Sequence, residues 1–220
     1  MTFIDEILSE PFANRVDIAA ANLHLRHASP ADIVRWALSL NVPAIVTTSM
    51  GINAAATLHA VVTQAPNMPV VWIDSGFNVK DTYVNADLIE SYLGLNLHVY
   101  SPSITPERLI AKLGGIPLPL EPHHQWFAEQ VKLAPFRQAL ADLQPTLWFT
   151  GIRREETPHR QTLDVVSKDA RGLLKIAPFF YASDTDVDSY MRRHNLPSCS
   201  RYFDPTKVEA GRECGLHTAA

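Results

Sequence analysis

Two hydrophobic periods alternate along this chain. Apolar positions recur at helical spacing over residues 4–27, which predicts one or two helices. Ser29-Pro30 starts another, with a capping hydroxyl, proline at the first helical position, and Ile33, Trp36, Ala37 and Leu40 on one face. A short apolar run at 43–48 then suits a buried strand, broken by Gly51 before a helical stretch at 52–64. The alternation repeats: strand 69–74, helix 81–93, strand 95–100, helix 106–113. A proline-rich loop covers 114–124. Residues 125–143 are helical in outline, with Pro135 a kink or boundary. Strand 146–150, a charged loop, an apolar stretch near 173–180 and a last helix at 185–195 complete the pattern.

Strands and helices in alternation predict an α/β fold: three layers, a mainly parallel sheet with helices on both faces. The divisions are an N-terminal helical segment at 1–28, an α/β domain at 29–195 and a C-terminal tail at 196–220. At 220 residues the chain has room for a full hydrophobic core, and 46% hydrophobic with 19% charged residues is ordinary for a soluble protein. A formal charge of −4 argues against a general nucleic-acid binder while leaving room for a local cationic pocket. The sequence contains no apolar run of membrane-span length, and the start lacks the basic-then-apolar layout of a signal peptide, so no membrane is expected. Two cysteines, Cys199 and Cys214, make a poor disulfide framework and exclude four-cysteine metal ligation within one chain; a reducing cytoplasm is the simplest setting. The adjacent His123 and His124 read as a solvated pair, and no metal site is expected.

In such sheets ligands bind beyond the carboxyl ends of the strands. There the first strand leads into Thr47, Thr48, Ser49, Met50 and Gly51, ahead of a helix start. Hydroxyls, free amides and a glycine in that setting suit phosphate or sulfate; a helix cap with a tight turn reads the same way. The second strand ends in Asp74, Ser75 and Gly76, which suit ribose or adenine recognition and equally an ordinary turn. After the fourth strand come Arg153, Arg154 and Arg160, whose guanidinium forks match phosphate or sulfate and could instead pair with Glu155 and Glu156. Lys132 on the preceding helix adds a positive charge or faces solvent. Cys214 sits on a charged tail beside Arg212 and Glu213, with His217 three residues on. Nearby positive charge favours a thiolate, which a mobile arm could carry to a site elsewhere; an inert thiol on a frayed end has the same local sequence.

Four stretches together resemble the phosphoadenylyl-sulfate (PAPS) reductases of the adenine nucleotide α-hydrolase-like superfamily. Residues 213–217, Glu-Cys-Gly-Leu-His, match the family's catalytic tail, and 47–52 resemble its phosphate loop. Ile73-Asp74-Ser75-Gly76-Phe77 and 148–155 resemble its second strand end and its arginine loop. The resemblance implies that 29–195 binds a nucleotide and that the chain reduces PAPS to sulfite and adenosine 3′,5′-bisphosphate in sulfate assimilation, through an S-sulfonate on Cys214. Thioredoxin or glutaredoxin would be the reductant, and the assembly could be a homodimer. Arg212 or His217 could keep Cys214 ionised. The iron–sulfur relatives place cysteine pairs where this chain has 128–132 and a lone Cys199, so no cluster is expected. The segment 196–211 is shorter than the family's usual one, which leaves adenylyl sulfate as an alternative substrate. An ATP pyrophosphatase or a non-catalytic nucleotide binder on the same fold are the rivals. A Ser-Gly-Gly-x-Asp-Ser loop, usual in the former, is absent.

Overall fold

A computed structural model describes residues 12–207 and Leu216. After a short 3-10 turn at Phe12–Arg15, the chain forms α1 (Ile18–Leu25), α2 (Pro30–Ser39), β1 (Ala44–Thr48), α3 (Ala54–Val62), β2 (Pro69–Ile73), α4 (Lys80–Leu93), β3 (Asn96–Tyr100) and α5 (Pro106–Leu113). Then follow α6 (His124–Ala128), a π-wound turn (Glu129–Leu133), α7 (Ala134–Leu143), β4 (Leu147–Phe149), β5 (Val166–Lys168), β6 (Leu174–Ile176) and α8 (Asp184–Arg193). Hydroxyl caps set several of the starts: Ser29, Thr105 and Ser183 accept the amides of Asp32, Arg108 and Asp186.

Six strands form one sheet in the order β3-β2-β1-β4-β6-β5, parallel except for the β5–β6 pair. Val46 of β1 faces Val70 of β2 on one side and Phe149 of β4 on the other. The chain winds outward from β1 to β3, then returns to lay β4 against the free side of β1, so the strand order reverses between β1 and β4. Diverging loops at such a reversal leave a crevice at the carboxyl edge.

Strand alternation splits the core into two layers. Val46, Val70, Leu147 and Phe149 turn to the face that packs with residues of α2, α3, α4 and α8. Ile45, Val71 and Trp148 turn to the other, where Phe136 and Ala139 of α7 meet them together with Leu216. A third cluster of Leu109, Phe127 and Val131 fastens α5 to the α6 stretch. The sheet edge at β5 is covered from α1: the Asn22 amide donates to the Val166 carbonyl at 2.8 Å, and its oxygen accepts the Val166 amide at 2.8 Å. Pairing of this kind closes an edge that would otherwise invite another strand.

The structure corrects the sequence reading at His124, sharpens it in the stretch before residue 180, and places Pro135 at a helix boundary as expected. The apolar stretch near 173–180 holds β6, and β5 lies ahead of it in the charged loop; three-residue strands are too short to show a period. Pro135 falls in the first turn of α7, where its missing amide costs nothing, and the winding widens just before it. His124 is not solvated but buried, 7% exposed, at the start of α6. Among the described residues no helix is long and apolar enough to cross a membrane.

Candidate active site

The loop from β1 to α3 is held by its own hydroxyls. The Thr48 hydroxyl accepts the Met50 amide at 3.0 Å, and the Ser49 hydroxyl accepts the Gly51 amide at 3.3 Å. Thr47 accepts the Trp148 indole N–H at 2.8 Å. Each hydroxyl uses a lone pair in these bonds and keeps its own proton to donate to an anion. Met50 takes a left-handed backbone (φ 53°), an unusual conformation for a side chain with a Cβ. Its carbonyl accepts a hydrogen bond from the buried Asn85 amide of α4 at 3.0 Å, which fixes the turn. Gly51 serves a close approach: a Cβ there would meet the Tyr202 ring at 3.0 Å.

The second strand ends in a turn at the side of the cleft, where Ile73, Ser75 and Asn78 line the cavity and Asp74 holds the turn. Asp74 accepts the Gly76 amide, the Asn78 side-chain amide and the Tyr83 hydroxyl, all within 3.0 Å. Burial and the Asp74 carboxylate push the Tyr83 hydroxyl up to about 12. Gly76 has φ 78° with its bare face against Pro106, so its role is the turn.

Beyond β4, Arg153 and Arg160 converge on Glu156. Arg160, only 4% exposed, is ion-paired with it. Arg153 reaches it at 3.7 Å and Asp184 at 2.6 Å. The pairing with Glu156 foreseen from sequence therefore coexists with a place at the cleft wall. Arg154 goes elsewhere, stacking over the Tyr181 ring at 5.9 Å.

Residues 202–207 cross the mouth of the crevice. Lys132, on the π-wound turn, pairs with Asp204, which also accepts the Thr206 amide and hydroxyl. Burial opposes the charge on Asp204, but Lys132 and Thr206 outweigh it and hold the carboxyl below its usual range. The cleft's cavity has a volume of about 310 Å³. It is lined by the predicted Thr47, Thr48, Ser49, Gly51, Ser75, Lys132, Arg153 and Arg160. Asp74, Gly76 and Arg154 are not among its walls. Sequence reasoning missed Tyr202, Asp204 and Lys207, which line the cavity from the shortened segment, and Asn85 behind it. An aromatic pair before an Asp-Pro-Thr turn was the available signal for the first three. Leu216 also lines the cavity. Cys214, Arg212 and His217 lie outside the described residues.

The wall thus presents Lys132, Arg153, Arg160 and Lys207 against the carboxylates of Glu156 and Asp204. An excess of cations beside a hydroxyl-rich loop is built for a polyanion. Among the described residues no three His, Cys, Asp or Glu side chains gather as a metal site.

The model of the phosphoadenosine phosphosulfate reductase domain matches residues 43–205, from β1 to the segment crossing the cleft. This chain belongs to that family. A phosphoadenosine 5′-phosphosulfate reductase of Synechocystis sp. is 34% identical over 200 residues, 90% of this chain and 79% of that protein. A phosphoadenosine 5′-phosphosulfate reductase of Xanthomonas campestris is 34% identical over 225 residues, 91% of this chain and 92% of the relative. Among solved structures, the PAPS reductase of Candida auris, a phosphate complex, superposes with a TM-score of 0.71 at 23% identity, over 83% of this chain and 87% of that one. The FMN adenylyltransferase of Candida glabrata shares the fold more loosely, with a TM-score of 0.58 at 13% identity, over 82% of this chain and 58% of that one. The α/β architecture expected from sequence is the architecture of this family.

Proposed function

We propose that this chain reduces 3′-phosphoadenylyl sulfate to sulfite and adenosine 3′,5′-bisphosphate in sulfate assimilation, with Cys214 as nucleophile. One observation carries the reading: Leu216, two residues beyond Cys214, lines the same cavity as the hydroxyl loop and the paired arginines. Two peptide units span about 7 Å at most, so an anchor at Leu216 keeps the thiol close to that cavity.

Thr47, Thr48, Ser49 and the amides around Gly51 would take the ligand's anionic groups, with Arg153, Arg160 and Lys132 neutralising the phosphates. Asp74, Gly76 and Arg154 act at a distance in this reading, through the turn after β2 and the stacking at Tyr181. The Cys214 thiolate attacks the sulfonate sulfur, and the S–O bond to the nucleotide breaks. Adenosine 3′,5′-bisphosphate leaves with the electron pair, its growing charge met by the cleft's cations. A dithiol of the thioredoxin or glutaredoxin type then attacks the Cys214 sulfur. Sulfite leaves, a mixed disulfide forms, and the partner's second thiol restores the Cys214 thiolate, the two electrons coming from the dithiol. Arg212 or His217 would hold Cys214 ionised in this scheme. No resident metal or cluster takes part.

Replacing Cys214 with serine should abolish sulfite formation while the affinity for adenosine 3′,5′-bisphosphate stays within twofold of wild type. Undiminished sulfite release by that variant would overturn the mechanism. Mixing the reduced protein with PAPS and with adenylyl sulfate, then weighing it for an added sulfonate, tells the two substrates apart.

A further inference from the structure

We propose that the trough between α7 and the β5–β6 hairpin is the socket for the C-terminal tail, with Leu216 as its anchor and Arg171 as its clasp. Both are positioning residues for Cys214, an assignment that rests on the function proposed above.

The socket is made of residues from β1, β2, β4, α7 and the β5–β6 turn. Leu216 is 8% exposed and packs among Ile45, Val71, Trp148, Phe136 and Ala139. That is the sheet face which, among the described residues, α7 covers without a second long helix, so the leucine completes a core layer. Arg171, in the turn between β5 and β6, reaches over the Phe136 ring at 5.2 Å and donates to the Leu216 carbonyl at 3.5 Å. Its guanidinium is steadied by Asp169 at 2.8 Å. The other Asp169 oxygen accepts the Arg171 and Leu173 amides at 3.0 and 2.9 Å, so the carboxylate fixes turn and side chain together. A long side chain held at both ends is pre-organised and loses little freedom when it grips the tail. Lys175 of β6, 3% exposed, lies 5.2 Å from the Trp148 ring in the same wall.

Leu216 and Cys214 are separated by Gly215 alone. Among the described residues, Leu216 is therefore the attachment nearest to Cys214 along the chain. A displacement of about 1 Å at a reacting atom can cost a hundredfold in rate, so a loosened anchor should slow attack without weakening nucleotide binding.

Leu216→Ala and Arg171→Ala should each lower the single-turnover rate of Cys214 sulfonation by PAPS at least tenfold. The Kd for adenosine 3′,5′-bisphosphate should stay within twofold of wild type, and Leu216→Met should recover most of the rate. Trypsin cleavage after Arg212, seen as loss of residues 213–220, should be faster in both alanine variants. Unchanged sulfonation and cleavage would overturn the assignment, as would nucleotide affinity falling in step with the rate. The proteolysis arm needs no chemistry at Cys214. If wild type formed no adduct while the variants still freed the tail, the proposed reaction would fail and the socket would stand.

Discussion

Arg160 is the cleft's most deeply set cation, and its guanidinium is tied to Glu156 before any ligand arrives. A charge-assisted hydrogen bond in such a site contributes about 1.5–3 kcal/mol, which corresponds to a ten- to hundredfold change in affinity. Arg160→Ala should therefore weaken adenosine 3′,5′-bisphosphate by at least tenfold in calorimetric titration, and Arg154→Ala, which frees a side chain stacked on Tyr181, by less than twofold. Equal losses would mean that the two guanidinium groups share the ligand. From sequence these arginines were alike, because neighbours in a loop carry no sign of which way each turns. The 3-10 turn at Arg154–Glu156 decides it by sending Arg153 and Arg160 inward around one glutamate. The same blindness covered Asn85, whose value lies in one bond to the left-handed Met50.

Elements with a long period were legible; short or irregular ones were not. α2, α4 and α5 follow their apolar faces and caps, and β1 to β4 lie within the predicted runs. β5 and β6 pair over three residues each, and no alternation can be read from so few positions. The end of α7 shows what local sequence does and does not say. Its cap, Gln144, is exposed and left-handed (φ 43°, ψ 51°), a position that glycine fills at the ends of α4 and α5. A side chain with a Cβ costs about 1 kcal/mol there. Gln144→Gly should raise Tm by roughly 2–4 °C in a calorimetric scan at unchanged activity. A lower Tm would show that the glutamine side chain contributes a contact that outweighs the backbone strain.

At the scale of the whole molecule, the segment 202–207 closes the cleft through one buried ion pair, and its stability should depend on acid. From sequence the segment 196–211 is only shorter than the family's usual one, because nothing local says that residues 202–207 will lie across a crevice formed by strands far earlier in the chain. The structure instead uses its brevity: Tyr202 seats on Gly51, and Asp204 locks to Lys132. The carboxyl of Asp204 titrates below its unfolded value, so the stability it contributes is complete above about pH 4 and is lost as pH falls through the lower, folded value. Removing Lys132 reverses that sign, since burial then dominates and raises the carboxyl. Lys132→Met should destabilise by about 3 kcal/mol or more at neutral pH, and part of that loss should be regained as pH falls through the raised carboxyl value, because the folded state then holds the proton more tightly than the unfolded chain. The double variant Lys132→Met with Asp204→Asn removes both charges of the pair and should recover most of the loss, with a flatter Tm between pH 3 and 6 (about the range in which carboxylates titrate). If Lys132→Met kept the wild-type acid profile, the pair could not be what closes this segment over the cleft.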